Sequence, residues 1–145
     1  MTHDSISRPA TEPAVGMEVT FSKTVSESDV YGFAGISGDF SPNHVDEEYM
    51  SRTRYGKRIA HGVLTMGLMS TCSSRLIEEL GNPPTVSYGY ERVRFIKPVF
   101  IGDTLTVRYT VAEVDKEAQR SFSDVKVFNQ HGDLVTVATH ILKRV

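Results

Sequence analysis

The order of hydropathy patterns predicts an α+β fold, most simply an antiparallel sheet with one long helix packed on a face. Three observations lead there. One alternating segment opens the apolar part of the chain, a single long helical stretch occupies residues 62–81, and four strand-like segments follow it to the C-terminus.

Residues 1–16 mix Thr, His, Ser and Glu with Pro9 and Pro13 and offer little to bury, so they read as a flexible tail preceding a single domain over 17–145. From Glu18 the alternation of Val19, Phe21 and Lys23 against Thr20, Ser22 and Thr24 predicts a first strand. Ser26 is a helix cap, Glu27 and Asp29 enrich the first turn, and Val30, Phe33 and Ala34 recur at helical spacing until Gly35 and Gly38. Gly38-Asp39-Phe40-Ser41-Pro42-Asn43-His44 reads as a loop, because Pro42 pushes Ser41 out of helical geometry. Asp46, Glu47 and Glu48 then open another short helix through Tyr49–Arg52.

The long helix starts near Gly62 and ends at Gly81, with Pro83 and Pro84 beyond it. Val63, Met66, Met69, Ser70, Ser73, Leu76, Ile77 and Leu80 form its expected inner side, and their density predicts a largely buried helix. Strands are expected at about 85–97, 104–114, 121–128 and 134–143, separated by turns at Gly102-Asp103 and His131-Gly132-Asp133.

Composition narrows the function classes. The chain has 145 residues, 16 Lys and Arg against 18 Asp and Glu, and a net charge of -2, which lacks the basic excess that neutralises phosphates, so no nucleic-acid partner is expected. No apolar run approaches the roughly 20 residues of a membrane helix, and 1–16 has no hydrophobic centre of a signal peptide. Cys72 is alone and cannot form an internal disulfide, which fits a cytoplasmic protein. With five scattered His and no His-Glu-x-x-His or Cys-x-x-Cys, no metal site is expected.

Asp39 and His44 lie five positions apart across a Pro-containing loop and can converge on one small molecule. A carboxylate and a neutral imidazole sharing one water form an acid-base pair. Spacing alone favours a turn Asp bonded to nearby amides and a surface His near a cap. Gly62 opens the long helix, and its unpaired amide can donate to a carbonyl oxygen that gains charge. His61 reads as a helix-opening residue and not a second base; His131 and His140 suggest no reaction role.

Gly38-Asp39-x-Ser41-Pro42-x-His44, followed by His61-Gly62 at the head of a long helix and by Arg94–Asp103, resembles the MaoC-like hydratase/dehydratase family over about residues 18–142. The resemblance implies a hotdog fold, a sheet wrapped around the central helix. It implies reversible hydration of a trans-2-enoyl thioester to an (R)-3-hydroxyacyl thioester, with no metal or redox cofactor. Asp39 and His44 become the catalytic pair, and the Gly62 amide polarises the thioester carbonyl. Ser70 falls at a family position that lines the pocket, although a mid-helix Ser is equally a packing residue. The family also implies a homodimer with the acyl pocket at the subunit interface, acting on a coenzyme A or acyl-carrier-protein thioester.

Two positions depart from the family pattern: Ser41 stands where Asn is usual, and Asn43 where a branched aliphatic residue is usual. They are expected to orient the loop and to alter substrate preference. Arg92, Arg94 and Lys97 can attract phosphates of the carrier, or serve as a solvated strand face. Two rivals stand beside the hydratase: a hotdog acyl-thioesterase, and a non-catalytic subunit that binds acyl thioesters.

Overall fold

A computed structural model describes residues 11–145. Residues 1–10 of the expected tail lie outside the described residues; of the remainder, Gly16 donates its amide to Val111 O at 2.8 Å. The chain runs β1 (Glu18–Thr24), α1 (Glu27–Ser37), α2 (Pro42–Val45), α3 (Glu47–Ser51), α4 (Gly62–Glu79), β2 (Thr85–Phe95), β3 (Thr104–Asp115), β4 (Arg120–Phe128) and β5 (Leu134–Arg144). The strands form one sheet in the order β1-β3-β4-β5-β2, every neighbouring pair antiparallel.

Alternation puts Leu105, Val107, Tyr109 and Val111 of β3 and Val125 and Val127 of β4 on the inner face, where they are buried. Met69, Cys72 and Leu76 of α4 pack into the same core. Enclosing a helix stripe within a sheet face removes both apolar surfaces from water at roughly 25 cal/mol per Å². The sheet curved around α4 is the hotdog arrangement.

The buried stripe of α4 is Leu64, Thr65, Leu68, Met69, Cys72, Ser73 and Leu76. It is rotated from the expected one. Val63 and Ser70 face outward, and the helix is half-exposed instead of largely buried. Apolar density misled here because Met66, Val63 and Ile77 extend the hydrophobic arc beyond what one five-stranded sheet covers.

Helix ends follow local chemistry. Ser26 and Asp29 make a reciprocal capping box at α1, and Gly38 ends that helix in the left-handed region at φ 80°, so Gly35 is an interior residue and not a stop. The expected loop at 38–44 instead contains the single-turn α2. Pro42 occupies its first turn, where a missing N–H has no cost and the fixed φ is already helical.

Two features aim the remaining segments at one end of α4. The stretch between α3 and α4 is held extended by Ala60 N–H to Val99 O at 2.7 Å and by a bridge between Ile59 and Phe100. On β2, pairing with β5 breaks between Glu91 and Arg94, and Arg92 takes φ 53° inside the break. Past it, Phe95 pairs with Thr136 and turns toward the start of α4. Among the described residues no helix is long and apolar enough to cross a membrane.

Candidate active site

α1 ends at Gly38, and the chain then turns back on itself. Asp39 Oδ1 accepts the amide of Ser41 at 3.2 Å, and Ser37 Oγ accepts the amide of Asp39 at 3.2 Å. This Asx-type turn leads into α2 and presents His44, which is buried.

His44 is oriented by Ile59, whose carbonyl lies 2.7 Å from Nδ1. A carbonyl only accepts, so Nδ1 carries the hydrogen and Nε2 keeps its lone pair. Nε2 lies 3.9 Å from Asp39 Oδ2. That is too long for a direct hydrogen bond and suits one bridging water. Asp39 is half-exposed while His44 is 7% exposed, so the carboxylate faces solvent and the imidazole faces the interior.

His61 completes the cluster. Its Nε2 is 2.9 Å from the main-chain carbonyl of Asp39, and its ring stacks on His44 with centroids 3.6 Å apart and planes 26° apart. Phe33 of α1 packs on it, centroid to centroid at 4.7 Å. The expectation that His61 merely opens the helix is therefore incomplete: it is the N-cap of α4, yet its ring lies within the site. The His-Gly dipeptide was the available signal, because an N-cap is normally Ser, Thr, Asp or Asn.

Asp39, His44 and His61 offer ligand atoms within 4.8 Å of one another. In each imidazole one nitrogen is committed to a main-chain carbonyl, Nδ1 of His44 to Ile59 and Nε2 of His61 to Asp39, and the other nitrogen keeps its lone pair.

A cavity of about 280 Å³ adjoins His44 and Gly62, walled by Ile59, Val63, Phe95, Ile96, Pro98 and Val99. Asn43, Tyr55, Lys97 and Thr136 supply its polar edges. The Gly62 amide, at the first position of α4, has no hydrogen-bond acceptor among the described residues. A Cβ on Gly62 would lie 2.9 Å from Phe95 Cδ1, so only glycine leaves room for the ring. Beneath it, Thr65 Oγ1 donates to Gly62 O at 2.6 Å and meets Thr136 Oγ1 at 3.0 Å, pinning the helix start to β5.

The structure thus brings Asp39, His44 and Gly62 to one place and puts Asn43 on the cavity edge. Ser41 and Asn43 hold the turn through their backbones: Ser41 N–H to Asp39, and Asn43 O from Ile59 N–H at 3.0 Å. Ser70 stands apart, exposed about 12 Å along the helix from Gly62, its carbonyl accepting Ser73 Oγ. Lys97 lines the cavity and pairs with Asp133 at 3.4 Å, while Arg92 and Arg94 are exposed on β2. Sequence reasoning missed Tyr55, Thr65, Phe95 and Thr136; an inward-facing Thr among the valines of β5 is the one trace they leave.

A 3-hydroxybutyryl-CoA dehydratase from Methylorubrum extorquens is 42% identical over 107 residues, 74% of this chain and 66% of that protein. An (R)-specific enoyl-CoA hydratase from Rhodospirillum rubrum is 43% identical over 96 residues, 66% of this chain and 64% of that protein. The match spans just under two thirds of the length of both curated relatives. Among solved structures, the (R)-hydratase from A. caviae involved in PHA biosynthesis superposes with a TM-score of 0.82 at 27% identity, covering 94% of this chain and all of that one. Residues 10–132 match the MaoC like domain, and with the hotdog sheet and the Asp39-His44-Gly62 geometry already described, the chain belongs to the MaoC-like family.

Proposed function

We propose that the protein catalyses reversible hydration of a trans-2-enoyl thioester to an (R)-3-hydroxyacyl thioester. The observation that carries this reading is the 3.9 Å gap between His44 Nε2 and Asp39 Oδ2, beside a cavity that also receives the free amide of Gly62. The relatives named as enoyl-CoA hydratase and 3-hydroxybutyryl-CoA dehydratase support it.

A water held in the gap donates one hydrogen bond to Asp39 and the other to the Nε2 lone pair of His44. As Nε2 takes the proton, the water oxygen bonds to C3 and the C2=C3 electrons move toward the thioester oxygen. The Gly62 amide donates to that oxygen as its charge grows. The proton on Nε2 then passes to C2 on the same face, restoring the neutral ring. H and OH have been added across the double bond with no change of oxidation state, so the balance requires no redox cofactor.

The apolar wall of Ile59, Val63, Phe95 and Pro98 accepts the acyl chain, and Asn43 at its edge adjusts which chain is preferred. The carrier is a coenzyme A or carrier-protein thioester, and Lys97, the cation that lines the cavity, offers charge to its phosphates. A homodimer is the assembly we infer. β2 is an edge strand carrying exposed Val86, Tyr88 and Phe95, with exposed Ile96 just past its end, and a second copy would cover that edge.

The test follows enoyl absorbance with crotonyl-CoA and a longer enoyl-CoA while free thiol is measured. Consumption without thiol release is the expected result. Thiol release would replace the reading with a thioesterase, and binding of both thioesters without turnover would replace it with a non-catalytic subunit.

A further inference from the structure

We propose that His61 is a positioning residue for the reaction: it fixes the Asp39 main chain and the His44 ring at the water-binding separation, next to the Gly62 amide that it precedes. The inference rests on the hydratase reading only for its kinetic readout.

The first ground is what His61 does not do. Ser26 and Asp46 cap α1 and α3 through side-chain bonds to backbone amides, at 3.2 and 2.9 Å. His61 holds the same N-cap position on α4 and makes no such bond. Its ring is turned away from its own helix toward the turn that carries Asp39. The second ground is its state. The Asp39 carbonyl requires a hydrogen on Nε2, so in the neutral ring Nδ1 is a bare acceptor, and Nδ1 is buried with no partner among the described residues. Helix capping alone gives no reason for a fold to keep an unpartnered buried acceptor where Ser or Asp would satisfy the helix.

The third ground is the pair of contacts. Asp39 is half-exposed and, among the described residues, its carboxylate is hydrogen-bonded only to the neighbouring Ser41 amide, so the Nε2 tether is the long-range bond that locates it. His44 has one ring nitrogen held by Ile59 and one left for water, so rotation about that single bond is limited by the face it stacks on. One ring therefore restrains both members of the pair, and it also begins the helix whose first amide is Gly62. Because proton transfer depends on sub-ångström placement, and a displacement of about 1 Å can lower a rate about 100-fold, loss of this restraint should appear in kcat.

Two variants separate the contacts. His61→Gln places an amide N–H near the former Nε2 and removes the ring face; His61→Phe keeps the face and removes the donor. With folding verified by circular dichroism and thermal melting, His61→Phe is expected to lower kcat for crotonyl-CoA about 100-fold and His61→Gln about tenfold, with KM within about threefold of wild type. Imidazole nitrogen NMR of the full chain gives a readout independent of turnover: His61 protonated on Nε2, His44 on Nδ1, and faster solvent exchange of the His44 Nδ1 hydrogen in His61→Gln, which removes the face that His44 stacks on. Wild-type kcat in a folded His61→Phe, effects confined to KM, or a His61 proton on Nδ1 would overturn the proposal. If wild type proves inactive on enoyl thioesters, the hydratase reading fails, and the tautomers and the His44 exchange rate decide the positioning role. Should His61→Phe not fold, His61→Gln and the wild-type spectra decide it in the same way.

Discussion

His44 donates its Nδ1 hydrogen to the carbonyl of Ile59 at 2.7 Å, and that bond leaves Nε2 as a lone pair facing Asp39. The tautomer is thus set by the backbone of the segment leading into α4. His44→Gln and Asp39→Asn should fold with melting temperatures near wild type and lower kcat by roughly 100- to 10,000-fold, while thioester affinity changes little. Steady-state kinetics with isothermal binding measurements check this; rates near wild type in both variants would exclude them as the acid-base pair.

Gly62 and Phe95 are matched in shape. The ring rests where a Cβ would begin, and because Phe95 is half-exposed it can swing aside at small cost. Gly62→Ala should therefore fold yet lower kcat/KM about tenfold by moving the ring into the cavity, and Phe95→Ala in the same chain should recover most of that loss. Phe95→Ala alone should favour longer enoyl chains over crotonyl by about tenfold, since each added methylene in an apolar pocket changes selectivity by roughly that factor. A chain-length series of kcat/KM values decides it.

The α+β order, the helix cap at Ser26 and the convergence of Asp39 with His44 were legible in the sequence, because each depends on neighbours within a few residues. The turn of α4 about its axis was not. Which arc of Val63, Met66, Leu68 and Met69 is buried depends on the width of the sheet it meets, a long-range quantity. The pocket's Phe95 and Thr136 were equally hidden, since a register break on β2 aims one and strand pairing brings the other beneath it. The ring contacts of His61 were hidden because its partners lie 17 and 22 residues away, at His44 and Asp39.

His140 provides a test of the core. It is fully buried on β5, bonded to Tyr109 Oη at 2.8 Å and Ser87 Oγ at 2.7 Å and stacked on Tyr90, and burial depresses its pKa to about 4. Between pH 4 and its ordinary value near 6.5, the unfolded chain binds the proton and the folded chain does not. Stability from the neutral ring is complete above pH 6.5 and lost as pH falls through 4, with a slope of at most about 1.4 kcal/mol per pH unit. His140→Gln should be less stable at pH 7, because Tyr109 loses its partner, but its stability should fall less between pH 6.5 and 4. Urea midpoints across that range compare the two; parallel curves would mean that His140 contributes no linkage.

Arg58 joins three elements around the Asp39–His44 turn. Its Nε donates to Glu47 at 2.9 Å, one terminal nitrogen donates to Glu27, and the other lies 3.3 Å from the His44 carbonyl. These bonds raise its already high pKa, so it is charged throughout the working range. Both glutamates are more than half-exposed, so removing the cation returns them to water instead of stranding them, and Arg58→Met should cost only about 1–2 kcal/mol. The larger effect should be kinetic: without the fork, α1 and α3 no longer fix the His44 backbone, and kcat should drop about tenfold. Arg58→Lys preserves charge without the planar fork, and should resemble Arg58→Met in kcat if geometry is what matters. A lysine variant with wild-type kcat would instead assign the contribution to charge alone.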